Sequence, residues 1–160
     1  VYWRSLDENT DIVAPMYPFP GELARYVRFA ERQAGAARPV VMCEYAHAMG
    51  NSLGSLSKYW ALIRAQPLLQ GGFVWDWKDQ GLSSTSAAGR HVWAYGGDFG
   101  PEGTPSDGNF CANGLMQPDG KPNPHAHELR HVYSPFAVGL LHADVAGARL
   151  LVSSELLFEA

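Results

Sequence analysis

The sequence predicts an α/β fold built from βαβ units, followed by a segment of β-strands. The continuous apolar run at 39–43 suits a strand that is buried on both faces, and 71–77 is typical of a further strand. Stretches with helical spacing of apolar residues lie between such runs, and strand follows strand at roughly 30 residues, the size of a βαβ unit. From Phe136 onward the pattern changes to short strand-like segments. This rhythm fits a (β/α)8 barrel or a doubly wound sheet, and periodicity does not choose between them.

The first three elements follow directly from local patterns. The apolar run 11–14 stops at Pro15, which predicts a buried strand that opens into a loop. Residues 22–33 place apolar side chains on one helical face and charged side chains on the other, so we expect an amphipathic helix. The run 39–43 then predicts a second strand, which ends at Glu44.

The remaining elements are less regular. Ser52 is expected to cap a second helix that extends to about Ile63, and 71–77 is expected to form a third strand. Residues 82–124 are rich in Gly, Pro, Ser, Asp and Asn, which indicates a functional loop system. A short helix is predicted at about 126–133. Strand-like segments follow at 137–141, 149–153 and 156–158.

Composition excludes several classes of protein. The chain has 160 residues, of which 46% are hydrophobic and 18% charged, as expected for a globular domain rather than a disordered chain. The net charge of −4 offers no basic surface for nucleic acid or for a membrane. No apolar run is long enough to span a bilayer. Cys43 and Cys111 give no disulfide framework, and Val1 begins the chain as though it were cut from something longer.

The segment from Cys43 to Ser52 carries the clearest chemistry. A carboxylate, Glu44, follows directly on a buried strand, and His47 and Asn51 lie in the loop after it. In parallel α/β folds, side chains at the carboxyl ends of strands face the ligand cleft. A glutamate there acts as a nucleophile or as a general acid, depending on its surroundings. The alternative is a glutamate that only forms hydrogen bonds with loop amides.

Five segments together carry a resemblance to a known family. The first four resemble, in the same order, the nucleophile signature and the following segments of the β-galactosidases of glycoside hydrolase family 2, and the fifth resembles the catalytic tyrosine segment of that family. They are Cys43–Ser52, Gly71–Trp77, Ala94–Gly100, Phe110–Leu115 and Pro15–Pro18. The resemblance covers about Asp11 to Phe158.

The resemblance implies the second half of a (β/α)8 catalytic barrel in residues 1–134 and the start of a β-sandwich domain in residues 135–160. It also implies that the remainder of the barrel is a partner of this chain. The parent enzyme is then expected to be a cytoplasmic homo-oligomer that acts on β-galactosides, with no nucleic-acid or membrane partner.

The resemblance also implies roles for individual residues. Glu44 would be the nucleophile of a retaining mechanism, and Tyr17 would form a hydrogen bond with it and tune its basicity. His47 would contact galactose hydroxyls, and Trp75 would stack under the sugar near its 6-position. Met16 is expected to line the pocket, although a space-filling role is the simpler alternative.

Two metal ions are implied in the same way. The carbonyl oxygen of Phe110 and the side chain of Asn113 would help to hold Na⁺ near the galactose 6-hydroxyl, whereas most Mg²⁺ ligands would lie upstream of this chain. The acid/base glutamate would also lie upstream. Asp76, Asp79 and Asp98 are nearby acids, but nothing in the sequence marks any of them as the proton donor. We therefore expect the isolated chain to be nearly inactive.

Three other functions are compatible with parts of the sequence. A β-glucuronidase is the same-family alternative, and a sugar-binding or assembly fragment without turnover is the second. The third is a zinc metalloprotease, because His127, Glu128 and His131 match the H-E-x-x-H pattern. Prolines at 122, 124 and 135 leave little more than two helical turns there, so the context disfavours zinc.

Overall fold

Three parallel segments lie side by side at the centre of the molecule. The computed structural model describes residues 6, 9–33 and 37–156. Strand β1 (Val40–Tyr45) pairs in parallel with β2 (Leu69–Val74). Val13 and Met16 form isolated parallel bridges to β1. The predicted first strand is therefore present only as two isolated bridges. The three segments lie side by side in the order in which they occur in the chain, with β1 in the middle.

Three helices accompany these strands: α1 (Pro20–Glu31), α2 (Leu56–Ala65) and α3 (Pro124–Val132). Both α1 and α3 begin with proline, which lacks the N–H that the first turn of a helix leaves unpaired. The apolar stripe of α1 is buried, as its spacing predicts. The main core is formed by Val13, Leu23, Val27, Ala30, Val40, Met42, Tyr45, Leu56, Tyr59, Leu69, Leu115 and Val132, among others.

The region predicted as a long loop contains an antiparallel hairpin. Strands β3 (Leu82–Thr85) and β4 (His91–Ala94) pair residue for residue, and Gly89 provides a left-handed backbone angle, with φ of 72°, in the connection. A short 3₁₀ helix follows at Gly108–Cys111. The hairpin was not predicted because its strands are short and mostly exposed, so burial leaves no alternating pattern in the sequence.

The C-terminal part is a second antiparallel hairpin, as the strand-like segments predict. Strands β5 (Phe136–Asp144) and β6 (Gly147–Ser154) pair along their length, and every residue in them is exposed. The third predicted segment, 156–158, lies mostly outside the described residues.

The expected helix cap at Ser52 is wrong. Helix α2 begins at Leu56, after Ser55 in a left-handed conformation with φ of 63°. The Ser52 hydroxyl donates instead to the backbone carbonyl of His47 and so closes the loop after β1. Ser52 therefore supports the loop that carries the candidate site.

In the part of the chain that the structure describes, none of the helices has the length and apolarity needed to cross a membrane.

Candidate active site

The carboxyl ends of the parallel segments bring Tyr17 and Glu44 together. The Tyr17 N–H donates to the Glu44 carbonyl oxygen at 2.9 Å, and the Glu44 carboxylate lies close enough to the Tyr17 hydroxyl to raise its pKa. Met16 forms a parallel bridge with Glu44 and is partly buried. The structure thus places these three candidate residues next to one another.

The backbone is constrained at this point. Tyr17 and Ala46 have φ angles of 49° and 52°, in the left-handed region that residues with a Cβ seldom occupy. Such conformations cost on the order of 1–3 kcal/mol each and are found most often at functional sites. Here they turn the chain sharply at the ends of two neighbouring segments. As a result, the side chains of Tyr17 and His47 approach the same region.

The surroundings of Tyr17 keep its hydroxyl protonated. Partial burial is the largest cause that raises the pKa of Tyr17 far above its usual value, and the hydrogen bond to Glu44 and the negative charge of Glu44 add to it. A tyrosine in this state stays protonated across the whole physiological pH range and so remains a hydrogen-bond donor toward the carboxylate. Tyr17 is therefore available to hold the Glu44 carboxylate in one orientation.

His47 connects this pair to a second cluster. Its ring packs edge-on against Tyr17, with centroids 5.9 Å apart, and lies 5.6 Å from the ring of Phe110. His47 Nε2 is 3.3 Å from Asn113 Nδ2, so in this arrangement the histidine accepts from the amide. His47 therefore joins Tyr17 to Phe110 and to Asn113, which lies 66 residues further along the chain.

Asn113 is buried, with 1% of its surface exposed, and only half of its amide is satisfied. Nδ2 donates to the Phe110 carbonyl oxygen at 2.8 Å, whereas Oδ1 has no hydrogen-bond partner. Assignment of the two amide atoms follows from the hydrogen bonds they make. With the amide turned over, Oδ1 and the carbonyl oxygen of Phe110 would face a common point, an arrangement that a hard cation between them would stabilise. These oxygens therefore fit a sodium ion.

Trp75 and Asp76 continue from the end of β2. The Trp75 N–H donates to the Tyr45 carbonyl oxygen at 3.2 Å, and the Trp75 carbonyl oxygen accepts from the Ala48 N–H at 2.9 Å. The side chain of Trp75 is 38% exposed, so its ring is available to a ligand. Asp76 Oδ2 accepts from Gln80 Nε2 at 2.8 Å, while Oδ1 is buried without a partner. Asp76, like Glu44, lies at the carboxyl end of a strand, and this position in the sequence could have marked Asp76 as a candidate site residue.

A cavity of about 430 Å³ adjoins this cluster, a volume within the range of small-ligand pockets. Trp75, Phe110 and Asn113 line one side of it, and the loop residues Ser106 and Asp107 line the other. The cavity therefore combines aromatic faces with hydrogen-bonding groups, which is the usual chemistry of sugar recognition.

The histidines of the H-E-x-x-H pattern lie elsewhere. His127, Glu128 and His131 are exposed on α3, which has nine residues. Among the described residues, no group of three or more His, Cys, Asp or Glu side chains is placed to hold a metal ion. Asp98 accepts from the Tyr95 N–H at 2.8 Å and stabilises a turn.

Comparisons with known proteins agree with the resemblance seen in the sequence. Residues 4–138 match the family model described as glycosyl hydrolases family 2, TIM barrel domain. The β-galactosidase of Aeromonas hydrophila is 50% identical over 143 residues, which are 82% of this chain and 13% of that protein. The β-galactosidase of Vibrio cholerae is 44% identical over 162 residues, or 94% of this chain and 15% of that protein.

A third relative, the β-galactosidase of Priestia megaterium, is 45% identical over 151 residues, 94% of this chain and 14% of that protein. The chain thus spans only 13% to 15% of the length of these relatives. Among solved structures, a β-glucuronidase of Faecalibacterium prausnitzii matches 76% of this chain and 21% of its own at 19% identity, with a TM-score of 0.40. That score is too low to bear on the choice of substrate.

Proposed function

Because this chain belongs to the family described as glycosyl hydrolases family 2, TIM barrel domain, we propose that it is part of a retaining β-galactosidase. In this proposal residues 1–134 form the second half of the (β/α)8 barrel, and residues 135–160 begin a β-sandwich domain. The curated relatives at 44% to 50% identity, each named β-galactosidase, support galactosides rather than glucuronides as substrates.

One observation carries the mechanism: Tyr17 is held beside Glu44 where two parallel segments end, by its N–H bond to the Glu44 carbonyl oxygen, and its hydroxyl lies close enough to the carboxylate for that group to raise its pKa. A retaining glycosidase needs an ionised and positioned carboxylate to attack the anomeric carbon. Tyr17 supplies the positioning because its raised pKa keeps it a donor. Glu44 forms a galactosyl ester with inversion, and attack by water on that ester inverts the centre again, so the overall reaction proceeds with retention.

The second carboxyl group of the pair lies outside this chain in the proposal. It protonates the leaving oxygen in the first step and activates water in the second. Both oxygens of Asp79 accept hydrogen bonds from distant residues, and Asp98 accepts from a nearby backbone N–H, so neither is free to serve as that group. The chain alone is therefore expected to bind sugar weakly and to be nearly inactive.

The surrounding residues bind and orient the sugar. Trp75 and Phe110 present aromatic faces to sugar C–H groups, and His47 contacts galactose hydroxyls. With its amide turned over, Asn113 would hold a sodium ion between Oδ1 and the carbonyl oxygen of Phe110, and the ion when bound would supply a positive charge for the galactose 6-hydroxyl. In this proposal Met16, which pairs with Glu44 along the backbone, lies against the bound sugar. Magnesium ligands lie mostly outside the chain.

The partners in this proposal are a terminal β-galactoside, the remainder of the barrel, and further copies of the full-length enzyme in a homo-oligomer. The cytoplasm is the proposed location. No element of the proposal involves nucleic acid or a membrane.

Two assays on the full-length protein test this function. Rates on p-nitrophenyl β-galactoside and β-glucuronide establish the sugar, and proton NMR of the first product formed establishes the anomer. We expect galactose released as the β-anomer, and a Glu44→Gln variant with less than a thousandth of the activity, since removal of a covalent nucleophile costs several orders of magnitude. Preference for the glucuronide, or an α-anomer product, contradicts the proposal.

Adding the missing N-terminal part to this chain separates an enzyme fragment from a sugar-binding module. Restored turnover supports the enzyme, whereas sugar binding without turnover in the assembled protein supports the module.

A further inference from the structure

The peptide bond between Asn113 and Gly114 is held at both ends. The carbonyl oxygen of Asn113 accepts from the Asp76 N–H at 2.9 Å. On the other side of the bond, the Gly114 N–H donates to Asp79 Oδ1 at 2.7 Å. The turn that follows β2 therefore fixes the plane of this peptide group, and with it the position of the Asn113 Cα atom, from which the side chain starts.

Asp79 is itself held in place by a third group. Its other carboxylate oxygen, Oδ2, accepts from Asn123 Nδ2 at 3.0 Å. The same Asn123 nitrogen donates to the Gly114 carbonyl oxygen at 2.8 Å, and His125 Nε2 lies 3.0 Å from that oxygen. Both backbone groups of Gly114 are thus bound by side chains, and both oxygens of Asp79 are occupied.

Gly114 and Asp79 also pack without free space between them. Gly114 is buried, and a Cβ built on it would lie 2.0 Å from the backbone nitrogen of Asp79. Any shift of Asp79 is therefore passed directly to the neighbouring Asn113. Asn113 in turn is 1% exposed and bonded to the Phe110 carbonyl oxygen, with its own Oδ1 unpaired.

We infer that Asp79 is a positioning residue, which through Gly114 fixes the amide of Asn113 for recognition of one hydroxyl group of the sugar. The inference rests on the proposed function, because it takes the sugar to be a galactoside. It gives a role to a carboxylate that the sequence left unassigned, and it separates that role from proton transfer.

The test uses the full-length protein and a series of nitrophenyl galactosides that each lack one hydroxyl group. First, Asn113→Ala identifies the hydroxyl that Asn113 recognises, as the one position where removing the hydroxyl no longer lowers kcat/KM in the variant. Asp79→Asn is then measured on the same series. This isosteric change replaces the carboxylate by an amide, which places an NH₂ group or a weaker acceptor against Asn123 and Gly114. The hydrogen bonds that hold Gly114 to residue 79 are therefore weakened.

We expect Asp79→Asn to reduce discrimination at that same hydroxyl by on the order of 10-fold, because small misplacements of a binding group are costly. In the Asn113→Ala background, Asp79→Asn should reduce it no further. Binding of isopropyl 1-thio-β-D-galactoside, measured by calorimetry, should weaken in parallel. Asp119→Asn is the matched control, because Asp119 contacts only its near neighbour Lys121 among the contacts seen here, and it should leave every ratio unchanged.

Asn123→Ala serves as a milder variant if Asp79→Asn does not fold, and it should affect the same hydroxyl to a smaller extent. The inference is overturned if these variants lower all substrates by one common factor, or if they change discrimination at a different hydroxyl. It is also overturned if Asn113→Ala shows no hydroxyl-specific effect. A wild-type protein without galactosidase activity contradicts the proposed function instead, which keeps the two failures distinct.

Discussion

Replacement of Tyr17 by Phe isolates the contact that supports the proposed mechanism. The substitution removes one oxygen atom and leaves the ring, so the edge-on packing against His47 is retained. What is lost is the hydroxyl that, in the proposed mechanism, donates to the Glu44 carboxylate. We therefore expect the variant to fold normally and to lose rate at the step in which Glu44 attacks.

The size of the loss follows from the kind of bond and from its exposure. A hydrogen bond to a charged group contributes about 1.5–3 kcal/mol. Tyr17 is 37% exposed, so solvent screening places the value in the lower half of that range, at about 1.5–2 kcal/mol. At about 1.36 kcal/mol for each factor of ten, this corresponds to a loss of roughly 13- to 30-fold in kcat/KM.

The assay is steady-state hydrolysis of p-nitrophenyl β-galactoside by full-length protein, with a Tyr26→Phe control. Tyr26 lines a groove beside α1 rather than the site, so its hydroxyl should be dispensable for catalysis. Equal rates for Tyr17→Phe and the control would refute the argument that this hydroxyl positions Glu44. A loss accompanied by a lower unfolding temperature would show instead that the change acts through the fold.

Three further predictions concern the full-length protein. Gly114→Ala should lower the unfolding free energy by at least about 3 kcal/mol in a denaturant titration, because the new Cβ would lie 2.0 Å from the backbone nitrogen of Asp79. Gly139→Ala is the control and should be tolerated, since no heavy atom lies within 4 Å of the Cβ position there. Tyr45→Phe should cost about 1–3 kcal/mol, since it deprives Tyr133 and a Trp N–H of a buried partner. Burial, followed by the hydrogen bond to Tyr133, raises the pKa of Tyr45 above its usual value of 10.0. The unfolded chain therefore loses this proton at a lower pH than the folded chain, and the stability of the fold decreases as the pH rises past about 10. In Tyr45→Phe, the unfolding temperature should decrease less steeply with pH over this alkaline range. Asn113→Ala should lower kcat/KM in sodium buffer at least about tenfold. In this variant, replacing Na⁺ by K⁺ should no longer change kcat/KM. A change as large as that of the wild type would contradict the assignment of the sodium site.

The sequence predicted those parts of the site that depend on strand ends. The apolar run before Glu44 forms β1, because a run of apolar residues leaves a strong pattern. The strand predicted at 71–77 is present as β2 but lies at 69–74, and its burial alternates along the chain. The pairing of the two strands in parallel follows from the helix between them. The proximity of Tyr17 to Glu44 could be expected only from the resemblance, since the segment before Tyr17 contributes two bridges rather than a full strand.

Other features could not be predicted because they depend on contacts between distant polar groups. Asp79 reaches Gly114 and Asn123, which are 35 and 44 residues away, and no local pattern encodes such bonds. The Ser52 hydroxyl had two available partners, a helix N-terminus and the His47 carbonyl, and the loop geometry selected the second. Closure of the barrel and the start of the sandwich domain remain predictions of the sequence.

The most direct test of the central claim is covalent trapping on the full-length protein with a 2-deoxy-2-fluoro β-galactoside that carries a good leaving group. Fluorine destabilises the positively charged transition states, so the ester intermediate accumulates and peptide mass mapping can locate it. The account predicts a fluorogalactosyl group on Glu44. Labelling of another carboxylate, or no label on an enzyme that turns over galactosides rapidly, would contradict it and leave Glu44 with a structural role only.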